Sequence, residues 1–65
     1  MDWQPIHTFP FDYDGFILVK VDYEDETDLQ LFSKPFGGPY WYCYNGPDVS
    51  NDEILRDYDA WVIVK

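Results

Sequence analysis

The sequence predicts a small α+β domain, an antiparallel sheet of three to four strands with one short helix and an N-terminal extended arm, built as one domain over residues 1–65. Three observations carry that expectation. Short runs of β-branched and aromatic residues recur between turn residues, and only one segment carries helix-start chemistry. The short connections between the strands also favour antiparallel pairing.

Trp3 to Asp14 holds aromatics and prolines without a clean period, the pattern of an extended arm pinned by its side chains. Asp14-Gly15 reads as a turn. Phe16 to Tyr23 is the best strand, with Ile17, Val19, Val21 and Tyr23 on one face. The other face runs from Phe16 and Leu18 to Lys20 and Asp22, which predicts a strand covered on both sides at its start and half in water at its end. Asp22 to Asp28 carries five acids in seven residues and reads as the tip of a hairpin into a second strand, Leu29 to Ser33. Lys34-Pro35 ends that strand, and Gly37-Gly38-Pro39 makes the next turn. In the third strand, Tyr40 to Tyr44, the three tyrosines share one face and Trp41 and Cys43 the other; alternation alone assigns neither to the core. After Asn45-Gly46-Pro47, Ser50 and Glu53 have capping-box spacing, with Val49 and Ile54 as a hydrophobic staple, so a helix is expected from about Asn51 to Asp57. Ala60 to Val64 is apolar and β-branched and reads as a closing strand ending at Lys65.

A chain of this length buries only about 60% of the surface it exposes when unfolded. Cys43 is the only cysteine, so no internal disulfide offsets the small core; the three Trp, six Tyr and five Phe supply the packing instead. That aromatic content also excludes an acidic disordered tail. A lone thiol, and an opening Met1-Asp2-Trp3-Gln4 without basic or apolar leader character, point to a cytoplasmic protein, with no run long enough to span a bilayer. Thirteen acids against four bases give a net charge of −9. Such a surface repels nucleic acid and anionic membranes and attracts cationic proteins.

The opening Trp3-Gln4-Pro5-Ile6-His7-Thr8-Phe9-Pro10, followed by Asp14-Gly15 and Ile17-Leu18-Val19, resembles a family of small phage and prophage proteins that has no settled activity. Its members begin Trp-x-Pro-Ile-x-Thr-x-Pro and continue through an Asp-Gly turn into an apolar strand. The likeness covers roughly the first third of the chain. It departs in two places: Phe11 to Tyr13 lengthen the spacing to Asp-Gly, and the family's closing Trp-x-Pro is reduced to Trp61 without the proline. By size and charge the chain is also similar to acidic anti-CRISPR and anti-restriction inhibitors, several of which act as DNA mimics.

What these resemblances imply is a phage-encoded inhibitor of a host defence complex, met in the bacterial host cytoplasm. It would bind the basic DNA-binding surface of a partner such as a CRISPR effector subunit. The residues for that contact are Asp22, Glu24, Asp25, Glu26 and Asp28 in one group and Asp48, Asp52, Glu53, Asp57 and Asp59 in another, with Asp12 and Asp14 as an extension. Against this stands the ordinary reading of a solvated hairpin tip and helix-start acids. Tyr40, Tyr42 and Tyr44 are possible aromatic contacts, or else sheet packing. The alternatives in function are a structural or accessory phage protein that self-associates through aromatic faces, and a regulatory partner of another basic protein. The expected state is a monomer or small homo-oligomer.

No cofactor or metal is expected. Asp22, Glu24 and Glu26 alternate as the first ligands of a calcium loop do, but Thr27 and Ser33 stand where that loop needs Gly and a bidentate acid. Catalysis is not expected either. His7, the only histidine, falls in the arm and Cys43 in an apolar strand, neither within a catalytic signature. Gly37 and Gly38 precede a strand instead of opening a helix, so they form no phosphate-binding fingerprint.

Overall fold

In the computed structural model, which describes residues 2–34 and 40–64, the elements in chain order are β1 (Gln4–Pro5), a single 3-10 turn (Ile6–Thr8), β2 (Ile17–Asp22), β3 (Thr27–Ser33), β4 (Tyr40–Cys43), β5 (Val49–Ser50), α1 (Asn51–Asp57) and β6 (Ala60–Ile63). The strands form one six-stranded sheet in the order β1-β6-β2-β3-β4-β5, and every neighbouring pair is antiparallel.

This corrects the expected fold: the sheet has six strands, not three to four. The two additions, β1 and β5, are two-residue strands at the sheet's edges, where short strands limit pairing with other chains. β1 stops at Pro5, which has no N–H to give a ladder. The N-terminal arm is corrected with it. After Pro5 the chain coils through the 3-10 turn and a second turn, closed by the Tyr13 N–H donating to the Pro10 carbonyl at 3.0 Å. Phe9 is buried, with its ring 5.1 Å from that of Trp41 and 6.3 Å from that of Trp61. Trp61 Nε1 donates to the Pro5 carbonyl and to Thr8 Oγ1, both at 3.1 Å, and so fixes the coil on the sheet.

β3 begins at Thr27, two residues before the expected Leu29, because Thr27 Oγ1 donates to Asp22 Oδ1 at 3.0 Å and closes the hairpin there. The expected turn at Gly37-Gly38-Pro39, the stop at Pro35 and the end at Lys65 lie outside the described residues.

The helix follows from its cap. Ser50 Oγ accepts from the Glu53 N–H at 3.3 Å, and Glu53 Oε1 accepts from the Ser50 N–H at 3.4 Å. Ile54 is the helix's one buried side chain. It joins Ile17, Val19, Phe32, Trp41, Cys43 and Val49 in the core, which places α1 on that face of the sheet. Cross-strand register sets that inner face as rows: Ile63, Ile17, Phe32 and Cys43 stand opposite one another, as do Trp61, Val19 and Gln30. Trp41 Nε1 donates to Asn51 Oδ1 at 3.0 Å, tying the largest core ring to the helix start. That bond and the helix above it decide which face of β4 is buried: Trp41 and Cys43 point in, and the tyrosines point out.

The opposite face has no helix over it. Phe16, expected to be covered, is exposed, since α1 and the N-terminal coil both pack on the inner side. Among the described residues no helix is long and apolar enough to cross a membrane.

Candidate functional site

The acids that the sequence separates into two groups are redistributed by the fold. The short link from α1 to β6 lies against the end of β2. There the Asp59 N–H donates to the Lys20 carbonyl, and Asp59 Oδ2 accepts from the Asp22 N–H, both at 2.8 Å. Asp57 follows the helix to the same place. A cleft of about 500 Å³ is lined by Val21, Tyr23, Asp28, Gln30, Arg56, Asp57 and Tyr58, so Asp28 of the hairpin and Asp57 of the helix border one opening. Asp57 and Asp59 thus join Asp22, Glu24, Asp25, Glu26 and Asp28 in one acidic end of the molecule. Asp48, Asp52 and Glu53 stay at the helix start, about 10 Å away by the rise of a seven-residue helix.

Contacts divide these acids by task. Asp22 pairs with Lys20 at 3.3 Å and accepts from Thr27. Asp59 ties β6 to β2, and Glu53 completes the helix cap. Asp57 holds a bidentate contact with Arg56, at 2.8 Å to Nε and 3.0 Å to Nη2. That hydrogen bond, more than the charge alone, holds the Asp57 carboxyl below the usual carboxylate range and raises the Arg56 guanidinium. Among the described residues Glu24, Asp25, Glu26, Asp28, Asp48 and Asp52 make no side-chain hydrogen bond or ion pair, and all six are exposed. Among the described residues no cation pairs with them, and only Asp52 feels the weaker field of Arg56, so their charge projects into water.

The cations near this end are committed. Lys20 is held by Asp22, with its ammonium 5.1 Å from the centre of the Trp3 ring, and Arg56 is held by Asp57. Lys34 stands 5.3 Å from the centre of the Trp41 ring.

The three tyrosines lie elsewhere, on the bare face of the sheet. The rings of Tyr42 and Tyr44 meet edge-on at 4.7 Å, and Phe16 packs against Tyr44 at 5.9 Å. Together with Asp14, Gly15, Ser33 and Lys34, these rings border a cleft of about 410 Å³. A Cβ at Gly15 would sit 2.7 Å from the Tyr13 ring, so a larger residue there would have to displace that ring. Sequence reasoning missed Phe16 and Leu29 as members of this surface. The available signal was the period of two in β3, where Leu29, Leu31 and Ser33 fall on one face.

His7 is exposed in the 3-10 turn, whereas Cys43 is buried and its Sγ donates to Gln30 Oε1 at 3.3 Å. No three His, Cys, Asp or Glu side chains among the described residues gather closely enough to hold a metal ion. Comparison with known protein families, with characterised proteins and with solved structures finds no match to this chain.

Proposed function

We propose that this chain is a binding protein without catalytic activity, whose acidic end occupies a basic nucleic-acid-binding groove of a partner with carboxylates in place of phosphates. The opening motif implies a phage setting, and size and charge, as in the acidic anti-CRISPR inhibitors, make the partner a host defence complex of the CRISPR effector type, met in the host cytoplasm. The observation that carries the reading is the convergence of hairpin and helix acids on one end of the molecule, where the neighbouring cations are already paired within the chain. A cationic groove gains from every unneutralised carboxylate it takes up, and that field raises the rate of encounter as well as the strength of contact.

The contact is assigned to Glu24, Asp25, Glu26 and Asp28, which the fold leaves free, ahead of Glu53 and Asp59, which hold structure. The test is capture of a partner from bacterial lysates carrying CRISPR or restriction systems, using the tagged protein and the triple variant Glu24→Lys, Asp25→Lys, Glu26→Lys. The native chain is expected to retain a DNA-binding subunit that salt releases and duplex DNA displaces, since exposed charge pairs are screened beyond about 8 Å at physiological salt. The variant is expected to retain none. Equal capture by both proteins overturns the assignment to the hairpin tip, and capture indifferent to salt and DNA overturns the mimicry.

A further inference from the structure

We propose that the helix-free face of the sheet is a homodimer interface, packing against the same face of a second copy around a two-fold axis. An antiparallel sheet with one face in water ordinarily alternates apolar and polar residues. This one is largely apolar on both faces, the polar positions of its outer side being Lys20, Asp22, Thr27 and Ser33. Val62, Leu18 and Leu31 stand opposite one another across three adjacent strands on the outer side. Around that row Phe16, Leu29, Tyr40, Tyr42, Tyr44 and Val64 are each between 42% and 57% exposed.

Area and charge select the occupant. At about 150 to 250 Å² per aromatic ring, the exposed parts of the four aromatic residues amount to about 400 Å², and Leu29 and Val64 bring the patch to roughly 500 Å². Two such patches bury about 1,000 Å² in total, the lower limit for a specific interface and the size of a weak one. The charges on this face are Lys20, which Asp22 neutralises at 3.3 Å, and Asp14 and Lys34, one of each sign, which border the cleft at Phe16, Tyr42 and Tyr44, so the face demands no partner of opposite sign. The tyrosine hydroxyls donate and accept alike, which suits a patch that meets its own copy. Oligomerisation is also a common remedy for a core as small as this one.

The arrangement leaves the acidic end free. α1 lies on the other side of the sheet, so its acids face outward in the dimer, and an antiparallel two-fold sends the two hairpin tips to opposite ends. Salt therefore acts on the two surfaces with opposite sign. It weakens binding to a cationic partner, but it strengthens the dimer by screening the repulsion between two chains of charge −9.

Sedimentation equilibrium of the purified full chain over a range of protein and salt concentrations tests the proposal. The expected result is a monomer–dimer equilibrium that tightens as salt rises. The double variant Leu29→Lys, Tyr42→Lys is expected to weaken it by roughly 100-fold, although its added cations reduce the repulsion between chains. Leu55→Lys, at a comparably exposed apolar position on the helix, is expected to leave the dimer unchanged. Circular dichroism and the melting temperature check that each variant is folded. A native chain that stays monomeric at all concentrations, or a loss of association equal in Leu55→Lys and in the double variant, overturns the interface.

Discussion

Asp59→Ala and Glu24→Ala remove the same charge from the same end of the molecule, yet the structure assigns them different consequences. Asp59 Oδ2 accepts from the Asp22 N–H at 2.8 Å, bridging 37 residues of sequence and holding the start of β6 beside the end of β2. A hydrogen bond to a charged group contributes about 1.5 to 3 kcal/mol, and exposure to water reduces this one to about 1 kcal/mol. Glu24 has no such bond among the described residues, so its removal relieves repulsion in a chain of charge −9 and costs nothing. For a domain of this size 1 kcal/mol corresponds to a shift in melting temperature of about 4 to 8 °C. Differential scanning calorimetry at neutral pH and low salt is therefore expected to show Asp59→Ala melting several degrees below the native chain and Glu24→Ala at or slightly above it. Equal shifts in the two variants would refute the division of the acids into structural and free.

Two further outcomes follow from the core. Ile54→Ala removes the only buried side chain of α1 and is expected to cost about 2 to 5 kcal/mol. A 65-residue domain has only about 3 to 10 kcal/mol in all, so the urea midpoint is expected to fall by about half; an unchanged midpoint would mean that α1 is not held by the core. Tyr58 packs edge-on against Phe32 at 5.3 Å, and burial, reinforced by negative neighbours, raises its hydroxyl above the usual tyrosine value. Its folded pKa therefore exceeds the unfolded value of about 10, so its stabilising share is complete below that pH and is lost as pH rises through the folded pKa. Tyr58→Phe keeps the ring contact and is expected to lose less stability above about pH 10 than the native chain; a parallel alkaline decline in both would remove Tyr58 as its cause.

Strong local chemistry was legible in the sequence. The Ser50–Glu53 cap placed the helix at Asn51–Asp57, and β-branched and aromatic runs placed β2, β3, β4 and β6 to within a few residues. What failed were features decided by partners distant in sequence. β1 and β5 are too short to carry a period, and each exists only because a neighbouring strand offers it a ladder. The two faces of Tyr40 to Tyr44 are both aromatic, so composition could not rank them; the Trp41 bond to Asn51 and the position of α1 did. The acids were grouped by proximity in sequence, whereas the link at Asp59 moves Asp57 and Asp59 to the hairpin and leaves Asp48 and Asp52 behind.

The net charge and the bare face explain one another. A small sheet with apolar residues on both faces is prone to stack without order, and a charge far from zero opposes that in every orientation that brings acidic surfaces together. Repulsion is least when the helix faces and hairpin tips of two copies lie farthest apart, which is the face-to-face two-fold. Charge then acts as a selector of orientation, and the same carboxylates remain turned outward. On the proposed mode of binding, a dimer so built would present two acidic ends, and a partner with two cationic grooves within reach would engage both, so that the second contact would form at a high effective concentration and add to affinity without any new side chain.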